Sequence, residues 1–134
     1  MEEFSITDHQ RNTIRVVRVK GEVDVFSAPR LREHAMTEPM TSTTSGPASG
    51  RSGRPRQNGH YAPGFVLDLG DVTFMDSAGL GVCVAVLKRA GARGDQVAVV
   101  AAAPVVLRLL DITGVPALYP VHTSVDEAVR SMEA

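Results

Sequence analysis

The sequence predicts an α/β fold: one domain with a mixed, mainly parallel sheet of four to five strands and about four helices. Two nearly continuous apolar runs, residues 65–69 and 97–101, are typical of strands buried on both faces of a sheet. A segment with apolar residues at helical spacing follows each run, and this alternation favours parallel pairing. With 134 residues, 43% of them apolar and 22% charged, the chain suits a single domain with its own core.

The first elements predicted along the chain are two strands in an antiparallel hairpin. Phe4 and Ile6 alternate with polar neighbours and indicate a short strand. Residues 9–12 are predicted to form a turn, and residues 13–20 a longer strand that pairs with the first. Residues 21–24 are then expected to leave the sheet.

The remaining elements are predicted from capping residues and apolar spacing. A helix is expected to begin at Ser27, because a serine followed by Pro29 is typical of an N-cap with proline in the first turn. After residue 63 the patterns predict, in order, a strand at 65–69, a helix at 77–92, a strand at 97–101, a helix at 104–114, a short edge strand at 119–121 and a helix at 124–132.

Residues 40–63 differ sharply in composition from the rest of the chain. These 24 residues hold four serines, three threonines, four glycines, three prolines, three arginines and no acidic residue. So little apolar surface cannot offset the entropy lost on ordering, and the sequence therefore predicts a disordered insertion. A basic arm that contacts a partner is the alternative interpretation.

Residues 67–81 are the part of the sequence most indicative of function. A strand and a turn deliver Asp76 and Ser77 to the start of an apolar helix, where Ser77 is predicted to be the N-cap with an exposed hydroxyl. Gly79 and Gly81 each cost a helix up to ~1 kcal/mol relative to alanine, and they leave room for another molecule to approach. Two interpretations remain open for Ser77: a structural cap, or a phosphoacceptor at the positive end of the helix dipole.

The sequence gives little support to catalysis, metal binding or a cofactor. The Gly-x-Ser-x-Gly elbow of a serine hydrolase is absent around Ser77, and the four histidines are scattered along the chain. Asp24, Asp68 and Asp76 could suggest a metal or aspartyl-phosphate site, but solvated loop acids explain them better. Cys83 is interpreted as a core residue, and no Cys/His cluster indicates zinc. We therefore predict neither catalytic residues nor a metal nor a cofactor.

Charge and hydropathy bear on partners and compartment. The net charge of −1 gives no general attraction to nucleic acid or to an anionic membrane. The N-terminus lacks a secretory signal pattern, and no apolar run approaches the ~20 residues of a membrane span. A single cysteine fits a reducing compartment. These features predict a cytoplasmic protein that binds neither membrane nor nucleic acid directly.

Three motifs stand out along the chain: Gly-Glu-Val-Asp at residues 21–24, Phe-Met-Asp-Ser-Ala-Gly-Leu-Gly at 74–81, and Pro-Val-Val-Leu-Arg-Leu-Leu at 104–110 with Gly114. Together they resemble the motifs of the STAS family and, more narrowly, of bacterial anti-sigma factor antagonists. The resemblance spans nearly all of the chain except residues 40–63. It implies a single STAS-like domain over residues 1–134.

In that family, the serine matching Ser77 is phosphorylated by a partner anti-sigma factor, which is a serine kinase that brings its own ATP and Mg²⁺. The unphosphorylated antagonist captures the kinase and frees a sigma factor; phosphorylation releases the antagonist, and a separate phosphatase resets it. The resemblance thus implies partner switching that regulates transcription. A STAS scaffold or small-ligand sensor that is never phosphorylated is the alternative.

The resemblance also implies which residues face the kinase. Besides Ser77 as phosphoacceptor, the implied partner-binding residues are Asp24, Asp76, Ala78, Gly79, Leu80 and Gly81. Ala78 stands where many relatives carry a second hydroxyl residue, so Ser77 is the single acceptor in this motif. The signal, the sigma factor and the kinase are not specified by the sequence.

Overall fold

The computed structural model describes residues 3–37 and 63–133 of the chain. The strands in this part are β1 (Ser5–Arg11), β2 (Ile14–Val23), β3 (Gly64–Met75), β4 (Gln96–Ala101) and β5 (Val121–His122). The helices are α1 (Ala28–Ala35), α2 (Ser77–Ala92), α3 (Pro104–Ile112), α4 (Val115–Leu118) and α5 (Val125–Glu133). The predicted α/β fold is confirmed. The predicted insertion at 40–63 lies outside the described residues, apart from Pro63.

The five described strands form one sheet in the order β1-β2-β3-β4-β5. β1 and β2 are antiparallel, as the hairpin prediction requires, and β2 to β5 are parallel to one another. Ile14 pairs with Gly64, and Gly64 pairs with Gln96, so the three central strands begin at the same edge of the sheet. The loops that follow β2, β3 and β4 therefore lie together at the opposite, carboxyl edge.

Neighbouring residues of the central strands contribute to two separate cores, because side chains alternate between the faces of a sheet. Val17 and Leu67 belong to the larger core, which includes residues of α1, α2, α3 and α4. Val16 and Val66 belong to the smaller core, which α5 closes with Ala128, Val129 and Met132. In the described part of the chain, α1 to α4 thus cover one face of the sheet and α5 covers the other.

β2 and β3 are longer than the sequence patterns predict. Residues 21–24 are expected to leave the sheet, but β2 runs to Val23, and β3 runs to Met75 instead of ending at residue 69. The pairing of the two strands shifts register beside Gly21, whose φ is +96°. Such bulges break the alternation on which a strand prediction relies, and this explains the error.

The turns differ from the predictions in two further places. β1 continues to Arg11, so the predicted turn at residues 9–12 is wrong, and the hairpin turns at Asn12, whose φ of 59° is left-handed. The helix predicted at 104–114 ends at Ile112, and Gly114 (φ 82°) separates it from the short α4. Within the described ranges, none of the helices combines the length and the apolar character needed to cross a membrane.

Candidate functional site

The loop after β2 and the turn after β3 meet at the carboxyl edge of the sheet. Val23 and Met75, the last residues of the two strands, are paired in the parallel register. Asp76, which directly follows Met75, donates its backbone N–H to the carbonyl of Val23 at 3.2 Å. The sequence-predicted residues Asp24 and Asp76 are therefore brought onto adjoining segments.

Asp76, and not Ser77, is the N-cap of α2. Its backbone is extended (φ −106°, ψ −174°), and its Oδ1 accepts the N–H of Gly79 at 2.9 Å. The predicted cap at Ser77 is thus wrong by one residue. A carboxylate accepts hydrogen bonds strongly and suits the positive end of the helix, so Asp76 takes the capping position. Ser77 becomes the first helical residue, with its side chain free of the capping bond.

Ser77 is exposed at the first position of α2. The residues that follow it differ in how far they reach solvent: Ala78 and Leu80 are half-buried, Leu80 packs against the larger core, and Gly81 is exposed. The hydroxyl of Ser77 lies beside the helix end whose first N–H groups have no intrahelical acceptor. A phosphate on Ser77 would therefore lie in a favourable electrostatic environment.

Gly79 and Gly81 differ in what a side chain at each position would meet. Gly79 is buried, and a Cβ there would overlap the carbonyl oxygen of Val23. Gly79 therefore lets the start of α2 lie directly against the end of β2, and its space is taken by the chain itself. A Cβ on Gly81 would meet no atom within 4 Å, so only Gly81 leaves the open space that the sequence suggested for both.

Asp24 organises the loop between β2 and α1. Its Oδ1 accepts the backbone N–H groups of Phe26 and Ser27, each at 3.0 Å. These hydrogen bonds, of which the one from Ser27 has the largest effect, hold the pKa of Asp24 below its ordinary value of 3.8. Ser27 is buried, and its Oγ accepts the N–H of Asp24 at 2.9 Å and donates to the carbonyl of Glu22 at 2.8 Å. The predicted helix start at Ser27 is confirmed, but its hydroxyl serves this loop instead of capping α1.

Two apolar residues at the tip of this loop, Val25 and Phe26, were not among the site residues predicted from the sequence. Val25 is 56% exposed and Phe26 is 85% exposed, and Phe74 near the end of β3 is 43% exposed. The N–H of Val25 donates to Oδ2 of Asp76 at 3.1 Å, which ties the loop to the start of α2. An apolar pair between Asp24 and Ser27, in a segment predicted to lie outside the sheet, was the available signal.

The other residues considered from the sequence lie away from this edge or in the core. Asp68 is buried within β3 and pairs with Arg18 Nε at 3.0 Å, so it does not join Asp24 and Asp76. Burial raises the pKa of Cys83 to about 12, and this thiol is part of the larger core, as predicted. Among the residues that the structure describes, three or more His, Cys, Asp or Glu side chains do not come together in a group able to hold a metal.

Comparison with known proteins agrees with this architecture. The STAS domain family profile matches residues 5–128. The anti-sigma F factor antagonist of Paenibacillus polymyxa is 30% identical over 126 residues, which cover 94% of this chain and 92% of that protein. The crystal structure of an anti-sigma factor antagonist from Mycobacterium paratuberculosis superposes with a TM-score of 0.72 at 23% identity, covering 98% of this chain and 96% of that one.

A third similar structure is the Bacillus cell fate determinant SpoIIAA in its phosphorylated form, with a TM-score of 0.59 and 16% identity over 96% of this chain and 98% of that one. At this identity the likeness concerns the fold alone. The profile match and the Paenibacillus relative, which both span most of the chain, carry the assignment. The chain belongs to the STAS domain family and, within it, to the anti-sigma factor antagonists.

Proposed function

We propose that this chain binds an anti-sigma factor serine kinase when Ser77 is unphosphorylated and is released when that kinase phosphorylates Ser77. Binding would free a sigma factor for transcription, and a separate phosphatase would restore the unphosphorylated form. The chain would act in the cytoplasm as a regulatory binding protein and not as an enzyme. The observation that carries the proposal is an exposed Ser77 at the start of α2, on the edge where Asp24 and Asp76 converge.

The proposed switch depends on charge and needs no change of fold. A phosphoserine carries about −1.5 to −2 charges at pH 7, and the start of α2 can accommodate it. The added charge lies next to Asp76, so this surface becomes markedly more anionic. The kinase has to bring the phosphates of its nucleotide to the Ser77 hydroxyl, so a phosphoserine there faces like charge, and juxtaposed like charges reduce affinity strongly.

The comparisons support the proposal without extending to its mechanism. The Paenibacillus relative is named for antagonism of an anti-sigma factor, and SpoIIAA has been solved in a phosphorylated form. Ala78 leaves Ser77 as the single hydroxyl acceptor in the first turn of α2. We therefore place the proposed phosphate on Ser77, and the proposed kinase-facing surface on Asp24, Asp76 and residues 78–81.

One observation favours the alternative, a small-ligand sensor that is not phosphorylated. A cleft of about 600 Å³ lies on the face of the sheet that carries α5, and its lining includes Arg18 and Asp68. These two residues form an ion pair, in which Arg18 Nε donates to Oδ2 of the buried Asp68 at 3.0 Å. The cleft also contains both signs of charge, with Asp126 paired to Arg11. Pairing within the protein thus accounts for these charges without a bound ligand. We therefore favour the phosphorylation mechanism over a small-ligand sensor.

Phosphate transfer tests the proposal directly. The purified chain is incubated with MgATP and, in turn, with each purified anti-sigma factor kinase of the source organism, and the products are analysed by intact-mass and peptide mass spectrometry. We expect one added phosphate on the peptide that contains Ser77, and none on the Ser77→Ala variant. Ser124→Ala is the matched control, because Ser124 is also an exposed serine at the start of a helix.

Two results would contradict the proposal. Phosphate found on Ser124 or elsewhere, with Ser77 unmodified, would remove the proposed acceptor. Binding to a kinase that is equally tight for the phosphorylated and unphosphorylated chain would remove the proposed release step.

A further inference from the structure

We propose that Phe26, supported by Val25, is the apolar anchor with which this chain binds the anti-sigma factor kinase. This inference rests on the proposed function and adds to it two residues from the loop between β2 and α1. It names the kind of surface that the kinase presents: an apolar pocket for one aromatic ring, bordered by cationic side chains.

The exposure of Phe26 is the first observation. At 85% it is the most exposed large apolar residue in the described part of the chain, and the adjoining Val25 is 56% exposed. An aromatic side chain left in water forgoes the stabilisation that burial of its large apolar surface would provide. Burial of such a ring at the centre of an interface is characteristic of binding hot spots.

The second observation is that the loop is held in place. The N–H of Phe26 donates to Asp24 Oδ1 at 3.0 Å, and the N–H of Val25 donates to Asp76 Oδ2 at 3.1 Å. Beneath them, the buried Ser27 hydroxyl links Asp24 to Glu22. The side chains of Asp24, Asp76 and Ser27 thus fix the backbone that carries the two apolar residues. A loop that is already ordered loses less conformational entropy on binding, which favours affinity.

The third observation is continuity with Ser77. Phe26 follows Val25 and Ser77 follows Asp76, so both exposed residues flank the same hydrogen bond between Val25 and Asp76. We therefore expect a kinase that reaches the Ser77 hydroxyl to cover the tip of the loop as well. This places the aromatic ring inside the proposed kinase interface.

The charges beside the ring define the partner further. The carboxylates of Asp24 and Asp76 accept the N–H groups of the loop, and the exposed Glu22 lies at the end of β2. An apolar residue bordered by carboxylates is complementary to an apolar pocket with a cationic rim. This rim meets the carboxylates of Asp24 and Glu22 beside the loop, whereas Ser77 faces the anionic nucleotide phosphates that the kinase brings, so a phosphate on Ser77 is still repelled.

The test measures binding of purified variants to the anti-sigma factor kinase identified by phosphate transfer, using isothermal titration calorimetry in the presence of MgADP. Phe26→Ala is expected to weaken binding at least about tenfold, and Phe26→Leu by less, because leucine keeps apolar volume. Leu118→Ala is the matched control: Leu118 is 66% exposed but lies in α4, just before β5 and thus at the opposite edge of the sheet. Its affinity should equal that of the unchanged chain.

The outcomes separate this inference from the function on which it rests. If the unchanged chain binds the kinase and Phe26→Ala binds equally well, the anchor is disproved while the proposed function stands. If Phe26→Ala and Leu118→Ala weaken binding by the same factor, the effect is not specific and the anchor is again overturned. If none of the kinases binds or phosphorylates the unchanged chain, both proposals fail together. Because Phe26 is so exposed, we expect the Phe26→Ala variant and the unchanged chain to have the same thermal unfolding midpoint. Equal midpoints would exclude misfolding as the cause of weaker binding.

Discussion

The carboxylate of Asp76 joins two segments that are distant in sequence by accepting the N–H of Val25 at 3.1 Å and that of Gly79 at 2.9 Å. One oxygen caps α2, and the other fixes the loop between β2 and α1. Because Ser77 follows Asp76 directly, the proposed phosphoacceptor lies on a segment that this residue positions. Asp76 therefore sets the local geometry of the segment that carries the proposed phosphoacceptor, Ser77.

Replacing Asp76 by alanine should destabilise the protein by about 1–2 kcal/mol, because the variant loses a helix cap and a tether at once. Chemical denaturation followed by circular dichroism measures the change. Asp76→Asn is the control, since asparagine caps helices well and keeps one side-chain oxygen; we expect a smaller loss. Equal stability of Asp76→Ala and the unchanged chain would show that neither hydrogen bond contributes.

Gly79 and Gly81, near the start of α2, should respond in opposite directions to replacement by alanine. Gly79→Ala forces a Cβ against the carbonyl of Val23, and a loss of about 1–3 kcal/mol or more is expected from such overpacking. Gly81→Ala enters open space in a helix and should gain up to about 1 kcal/mol. Thermal or urea unfolding of the pair tests this. A Gly79→Ala variant as stable as Gly81→Ala would contradict the close contact between α2 and β2.

A negative charge at Ser77 should lower the affinity for the kinase, and this effect should be smaller at high salt. Ser77→Ala is expected to remain bound, whereas Ser77→Asp should bind at least about tenfold more weakly at low ionic strength. Raising the salt from about 0.05 to 0.5 M shortens the Debye length and should narrow this difference. Surface plasmon resonance at several salt concentrations measures it. Indistinguishable affinities of the two variants would count against a charge-based switch.

Stability should depend on pH through Asp8, which clamps β1 to the end of α1. Asp8 accepts from Arg15 Nη2 at 2.7 Å and contacts His34 Nε2 at 2.8 Å, and Arg15 also donates to the carbonyls of His34 and Ala35. Partial burial raises the pKa of Asp8, but the bonds and charges of Arg15 and His34 outweigh it and hold the pKa below 3.8.

With a folded-state pKa below the unfolded value of 3.8, the Asp8 carboxylate stabilises the fold fully above that value and loses its effect as the pH falls through the folded pKa. Asp8→Asn should therefore cost about 1–3 kcal/mol at pH 7, because it leaves the nearly buried Arg15 without its anion, and less near pH 3. Urea unfolding at both pH values measures the difference. Asp126→Asn, which breaks an exposed ion pair with Arg11, is the control and should change stability by less than about 1 kcal/mol.

Much of the fold and part of the site could be predicted from local patterns. The buried runs of β3 and β4 and the helix after Asp76 follow from apolar spacing, and their positions are confirmed. The antiparallel hairpin is confirmed as well, although its turn lies at Asn12 and not over residues 9–12. The errors lie where distant segments decide the outcome. β2 and β3 pair past the bulge at Gly21, and Asp76 caps α2 with one oxygen while the other accepts the N–H of Val25.

Spacing and capping residues act within a few positions of each other, so they were enough to predict a serine at the start of an apolar helix after a buried strand. Three relationships follow from the folded chain alone: the carbonyl of Val23 fills the space beside Gly79, Asp76 accepts the N–H of Val25, and Phe26 is exposed on the loop that Asp76 holds. All three depend on the parallel pairing of β2 and β3. Contacts between their carboxyl ends join residues about fifty positions apart, and such contacts leave no periodic trace in the sequence.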